Sequence, residues 1–483
     1  MENKNINIKT KIIVCLFAVL TASPVLGATH YVPQGYASIQ DAINACQDFD
    51  TIVIAPGKYT GLGNREINFR GKAITVRSTD PADSQIVSET IIDCGGQGRG
   101  FVFYMGEKAD STISGLTITN GYGIFGGAIY CYNNSSPSIT NCVIKTNSAV
   151  YGGGFACTGS NTKPKITNCI ITANTAMVGG GSFYINVSSP IIRNCAISGN
   201  TAPEGAAFFS YNPGKPVITN CTISQNTASG STGVIIYCYQ SSNMTFTNSI
   251  FWNNTTANAT QIKVGNSGAA TSIQISYCNI QGGQGNITSD ENCTVEWGPG
   301  NIDADPYFVN SGSLTSSGTL ASGDYHLLDE SPCIDAGDPD FVAEPSETDI
   351  DGNARILGMK IDIGADEFVP PLNVVVKITP KTINPRSKGG WINCTIQFPN
   401  DYSVGDVDTE SILLNEKVRP TSYTIDEKAN NLLMKFDRGA PDIQELLKDL
   451  VSEGSIPLTA TGALNDGTMF EGFDTIGILK QGK

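Results

Sequence analysis

The sequence predicts an all-β protein whose main body is a right-handed, single-stranded parallel β-helix. Three observations carry that prediction. First, a short unit repeats: ITNCVI at 139–144 returns as ITNCII at 166–171, IIRNCAI at 191–197 and ITNCTI at 218–223, so that Cys169, Cys195 and Cys221 recur every 26 residues. Second, the repeated segments are only about five residues long, β-branched and separated by Gly, Asn and Ser, which leaves no room for paired helices. Third, a Gly-rich step follows each unit: FGGAIYC from Phe125, YGGGFAC from Tyr151, VGGGSFY from Val178 and EGAAFFS from Glu204. Coils of this kind stack at about 4.8 Å, the spacing of neighbouring strands, and any function sits on a coil face.

The elements follow in order. Lys9 and Lys11 precede an apolar run from Ile12 to Leu20, and Ser23, Gly27 and Ala28 supply small residues, so residues 1–28 read as a secretory signal peptide. No later segment reaches the length of about 18 apolar residues that a membrane span needs. Residues 29–289 form the β-helix. It opens with an amphipathic helix, Ile39 to Cys46, that covers the open end of the stack, then a strand from Thr51 to Ala55 and a Pro-Gly turn. Within each unit Ile139, Cys142 or Val143, and Ile144 are expected to alternate in and out. Residues 290–369 break the period and form an acidic cap. Pro370 and Pro371 lead into a domain at 372–483, whose strand pattern, with a helix carrying Ile443, Leu446, Leu447 and Leu450 on one face, predicts a small β-sandwich of immunoglobulin-like type.

Two kinds of column run along the repeat. Cys142, Cys169, Cys195 and Cys221 share one position, with Cys278 later and Ser249 interrupting. A thiol there fills the coil interior as a small hydrophobe, and a hydroxyl in its place is expected to cost burial energy. Bridges between adjacent coils are the alternative, for which Cys131 and Cys157 form a second candidate pair. Asn141, Asn168, Asn194 and Asn220, continued by Asn248, form one asparagine column; Asn147, Asn174, Asn200, Asn226 and Asn254 form another. These read as structural amide ladders at bends where Asn tolerates a left-handed backbone.

Charge narrows the function. Net charge is −15, and 18 Asp and Glu between Asp290 and Pro370 face only Arg355 and Lys360. That balance excludes nucleic acid, which needs clustered Lys and Arg. It favours a bound cation or a solvated acidic surface. Asp349, Asp351 and Asn353 alternate in DIDGN, a spacing that wraps oxygen ligands around a hard cation, and Asp362 and Asp366, with Glu367, complete a candidate Ca²⁺ site. The competing reading is a turn in which Arg355 pairs with Asp349 or Asp362.

Catalytic residues are not assigned. Lyases and glycoside hydrolases need grouped carboxylates, yet between Ser111 and Ser289 Glu204 is the only acidic residue. His30 and His326 are the only histidines and read as structural. Asp80, Asp83, Glu89 and Asp93, with Arg70 and Arg77, are the remaining group that could serve on the early coils. Tyr130, Phe155, Phe183 or Tyr184, Phe208 or Phe209, and Tyr237 recur near the Gly step, either as core or as a row that stacks on sugar rings.

The stretch SIQDAINACQDFDTIVIAPGKY resembles the start of bacterial pectin-lyase-like β-helix proteins. NIDADPYF, GDYHLLDESPCIDAGD, TDIDGNAR and IDIGADEF resemble the choice-of-anchor Q domain, and the GGAI steps resemble repeats of polymorphic outer-membrane proteins and related adhesins. The resemblance implies a secreted or cell-surface protein of unassigned activity; the partners expected for such a protein are extracellular polysaccharide or cell-envelope components. The expectation is therefore a non-catalytic adhesion or recognition protein. The alternative is a carbohydrate-active enzyme, either a polysaccharide lyase or a glycoside hydrolase. Ligand identity, mode of attachment and oligomeric state are left open.

Overall fold

The computed structural model describes residues 27–231, 233–266, 268–310, 312, 323–384, 390–449, 455–465 and 467–479. The signal-peptide reading and Leu450 therefore fall largely or wholly outside the described residues. The chain divides into two units, ending and beginning at Phe368 and Val369. Among the described residues no helix is long and apolar enough to cross a membrane.

The first unit is a parallel β-helix. One complete coil shows how the repeat makes it. Ser138–Thr140 is a strand, Asn141 turns the chain at φ +53°, Val143–Lys145 is a second strand and Thr146 turns it again at φ +54°. Ser148–Tyr151 and Phe155–Thr158 follow, joined through Gly152 at φ +71°. A Cβ on Gly152 would lie 2.1 Å from the Phe155 carbonyl oxygen, so the Gly step is required by sterics as well as by backbone angle.

Repeated, these strands give sheets of eleven, nine, eight and five strands, paired in parallel between successive coils. Ile139, Cys142 and Ile144 point inward and are fully buried, while Val143 is half-buried on the outer surface. Phe155, Phe183 and Phe208 stack inside the coil with centroids 4.9 and 5.0 Å apart.

The amino-terminal helix spans Ile39–Ala45, with Cys46 as its C-cap. Ser38 caps its start, and Ile39, Ala42 and Ile43 are buried against the first coil. A second short helix, Ser84–Glu89, was not legible in the sequence; Asp83 caps it by accepting from the Gln85 and Ile86 N–H groups.

The asparagine columns differ from each other. The continuous amide ladder runs along the second column, with Nδ2-to-Oδ1 distances of 3.0, 3.0, 3.0 and 3.1 Å from Asn147 through Asn254. The first column supplies the left-handed bends at Asn141, Asn168, Asn194, Asn220 and Asn248. Only Asn248, Asn220 and Asn194 are linked amide to amide there. Asn168 and Asn194 instead donate to the acidic region, because that region lies against them.

The acidic region belongs to the first unit and folds back along the flank of the coils. Ile302 pairs with Asn279; Gly364 N–H donates to the Asn248 carbonyl and Ala365 N–H to Thr222 Oγ1. Farther along, Asn194 donates to the Thr348 carbonyl, and Asn168 to Thr348 Oγ1 and the Asp349 carbonyl. The region is thus a strap laid over the bends of the first asparagine column.

The second unit has a four-stranded antiparallel sheet (Val375–Thr379, Trp391–Gln397, Asn431–Asp437, Ser422–Asp426) and a mainly antiparallel sheet built on Val407–Leu414, Ser455–Leu464 and Met469–Ile478. Both sheets contribute to one core that includes Ile392, Ile396, Leu432, Phe436, Leu458 and Ile476. Pro441–Asp449 is helical and buries Ile443, Leu446 and Leu447 in it.

Candidate functional site

Strand register decides which aromatic side chains are core and which are surface. Phe155, Phe183 and Phe208 share the inward column. Tyr130, Ala156, Tyr184, Phe209 and Tyr237 share the adjacent outward one, by direct pairing between successive coils. Two residues on, a second outward column carries Tyr104, Tyr132, Tyr211 and Tyr239.

The small Ala156 would leave a gap in this face. Phe125 and Tyr151 fill it from the neighbouring five-stranded sheet. Phe125 stacks on Tyr130 and Tyr184 at 5.8 Å each and on Tyr151 at 5.5 Å, and Tyr151 meets Tyr184 at 4.8 Å. Phe209 then meets Tyr184 edge-on and stacks on Tyr237 at 5.3 Å. At the two ends Tyr104 stacks on Tyr132 and Tyr132 on Tyr130, while Tyr211 stacks on Tyr239 and Tyr239 meets Tyr237. Ten rings therefore form one connected surface across six coils, about 24 Å long at about 4.8 Å per coil. A Cβ on Gly179 would lie 2.0 Å from the Phe209 ring, so a glycine there makes room for the face.

Cations sit at each end, Arg99 above Tyr130 at 5.5 Å and Lys263 above Tyr237 at 5.7 Å. Glu66 pairs with Arg99 at 3.0 Å. Burial pushes the Tyr184 and Tyr237 hydroxyls up to about 12, so both remain neutral donors. Because the rings stack on one another, the surface presents half-buried ring edges and hydroxyl groups, and Tyr184 is buried among its neighbours. Such a surface suits ligands with one apolar and one polar aspect, the character of a sugar ring.

The acidic strap builds a second polar feature. A cleft of about 320 Å³ lies between the coils and residues 344–348, lined by Lys165, Thr167, Asn168 and Arg193. Glu344 reaches Arg193 at 2.7 Å and Lys165 at 3.0 Å. Lys165, then Arg193, hold its carboxyl below the usual value. The sequence placed Lys165 and Arg193 without acidic partners; chain folding supplies them from more than 150 residues away.

The five residues of the Ca²⁺ expectation separate into two groups. Asp349 accepts from the N–H groups of Asp351, Asn353 and Glu367 and from the Asn353 side chain, while Asp362 accepts from the Asp335 and Phe368 N–H groups. Their oxygens hold the turn together. Asp351 and Asp366 instead converge with His326, one ligand atom from each lying within 4.8 Å of the others. Arg355 is fully buried, 3.3 Å from Glu367, and donates to the Gly364 carbonyl at 2.6 Å. Burial raises the carboxyls here, Asp366 to about 7 and Glu367 to about 8. His326 is raised to about 10, chiefly by its hydrogen bond to Asp351.

The other candidates are tied into local structure. Asp93 pairs with Lys58 at 2.6 Å and accepts from Gly95 N–H, Arg77 donates to backbone carbonyls, and His30 lies between Tyr36 and Asp50. The thirteen cysteines among the described residues are unbridged, and all but Cys293 are buried. In their column Cys142, Cys169, Cys195 and Cys221 each donate to the carbonyl two residues back, at 3.0–3.3 Å.

A family model described as the right-handed β-helix region matches residues 48–189 and 176–297. The crystal structure of pectate lyase Pel9A is similar, with a TM-score of 0.39 and 16% sequence identity over 70% of this chain and 96% of that chain. No curated protein matches the sequence.

Proposed function

Since the chain belongs to the right-handed β-helix family, we propose that its aromatic face is a docking strip for an extended polysaccharide, and that the protein is an exported, non-catalytic adhesion or recognition protein. The observation that carries this is the continuity of the ten rings. A strand lying along the stack meets ring edges and hydroxyls at each coil, so weak apolar contacts and hydrogen bonds add up without reorganisation of the rigid sheet. Export rests on the basic and apolar residues at the amino terminus and on the resemblance of the acidic region to a domain of surface proteins.

The enzyme reading would place chemistry in the cleft beside the strap. There Glu344 is held ionised by two cations, which suits a structural ion pair better than a general acid.

The test is retention of the purified protein on a panel of insoluble polysaccharides, with new reducing and unsaturated ends recorded in the same tubes. The expected result is retention by at least one glycan, lost in a Phe209→Ala/Tyr237→Ala variant, without products. Equal retention of that variant refutes the docking strip. Product formation replaces recognition with the enzyme reading.

A further inference from the structure

We propose that His326, Asp351 and Asp366 form a binding site for a borderline divalent metal ion of the Zn²⁺ class, held within the acidic strap. The three residues come from separate segments: His326 from the strand Asp324–Leu327, Asp351 from the tight turn after Asp349, and Asp366 from the segment that docks on the coils. Their ligand atoms already converge.

Two further observations point to an ion. Asp366 is only 5% exposed, and one of its oxygens accepts from Leu327 N–H at 3.1 Å; the other takes no hydrogen bond from the described residues. An ion at this point would take that oxygen as a ligand and complete the coordination of the carboxyl. In addition, His326 is oriented from behind. Its Nδ1 is hydrogen-bonded by Asp324, and its Nε2 points at Asp351 2.7 Å away. A carboxylate on one imidazole nitrogen with the other directed at a ligand cluster is the arrangement that fixes tautomer and ring orientation in metal sites.

The donor set selects the ion. Two carboxylate oxygens alone would suit Ca²⁺, but Ca²⁺ takes six to eight oxygens and has little use for an imidazole. One imidazole and two carboxylates suit Zn²⁺, with remaining positions open to water because His326 and Asp351 are about half-exposed. The ion takes the place of the proton shared between His326 and Asp351, so binding releases a proton. Bound there, it ties together three arms of the strap, one of which is fixed to the coils through Gly364 and Ala365.

The experiment is a titration of the EDTA-stripped, purified protein with Zn²⁺, with Ca²⁺ and with Co²⁺ as a spectroscopic probe, followed by calorimetry, thermal melting and visible absorption. The expected result is one Zn²⁺ per chain and a raised Tm. His326→Ala and His326→Gln are each expected to weaken binding by tenfold or more while leaving the β-type circular-dichroism spectrum unchanged; the exposure of the ring makes loss of folding no obstacle. Asp324→Asn should weaken binding to a smaller degree. Undiminished Zn²⁺ affinity in the His326 variants overturns the site. So does a Ca²⁺ response as large as that of Zn²⁺ that survives His326→Ala, which would mark a carboxylate-only site. A thiolate-to-cobalt charge-transfer band would assign the metal to cysteine instead.

Discussion

Replacing Asn200 with Ala tests whether the second asparagine column is a structural ladder. The Asn200 amide shares two protons among the Ile171 carbonyl at 2.9 Å, the Ser198 carbonyl at 3.0 Å and Asn226 Oδ1 at 3.0 Å. Its Oδ1 accepts from the Asn174 backbone N–H at 2.9 Å and the Asn174 amide at 3.0 Å. Alanine removes about four net hydrogen bonds, each contributing about 1 kcal/mol, at a fully buried site where water cannot substitute; the expected loss is about 4 kcal/mol. Asn254 ends the ladder, is half-buried and makes fewer bonds, so Asn254→Ala should cost about 1–2 kcal/mol. Asn200→Asp retains the two accepted bonds but cannot donate, and should fall near the alanine variant. Urea unfolding with an unchanged m-value measures these differences, and hydrogen exchange locates them. A loss below about 1.5 kcal/mol at Asn200, or equal losses at Asn200 and Asn254, would refute the reasoning.

Three further outcomes are expected. Cys169→Ser should cost stability, as the sequence predicts, but no more than about 1 kcal/mol in urea melts, because the buried hydroxyl can donate to the carbonyl two residues back as Ser249 does at 2.9 Å in the same column; a larger loss would show that thiol size, not the hydrogen bond, governs the column. Arg355→Met removes the bond to the Gly364 carbonyl and the cation beside Glu367, whose buried carboxyl is already raised and can take up a proton, so the loss should be about 1–3 kcal/mol, with protease cutting the strap before the coils. Asp50 is held below the usual carboxylate value by Gln47 N–H, with burial opposing and His30 and the Ala28 N–H reinforcing. Its contribution is present above pH about 4 and is lost as pH falls through the lower folded value, so the stability difference between wild type and Asp50→Asn should shrink on acidification from pH 6 to 3.

The coil was legible because its determinants are local. Asn at the bends, Gly before the inward strand and β-branched residues at period two each act within a few residues, and the same columns recur in register. The aromatic face was half legible. Tyr130, Tyr184, Phe209 and Tyr237 were candidates alongside Phe155, Phe183 and Phe208, but adjacent aromatic residues on a strand face opposite ways, and only the register separates them. Phe125 and Tyr151 were missed because they fill the Ala156 gap from another sheet. Glu344 beside Arg193, and His326 beside Asp351 and Asp366, depend on how the acidic stretch folds back. Local spacing does not encode a contact across 151 residues. The DIDGN spacing was informative in a different sense: it built a hydrogen-bonded turn around Asp349, which in turn aims Asp351 at His326.

A stack of coils is ordinarily a one-dimensional system, in which each repeat is stabilised only by the repeats on either side and can open with little effect at a distance. The strap changes that connectivity. By bonding to Asn168, Asn194, Thr222 and Asn248 it gives residues on successive coils a common partner. Opening any one of those coils must also strip part of the strap from the others. The middle of the solenoid therefore melts as a block rather than coil by coil, and the strap, which has no docking surface until several coils are in place, is the last part of this unit to acquire its structure.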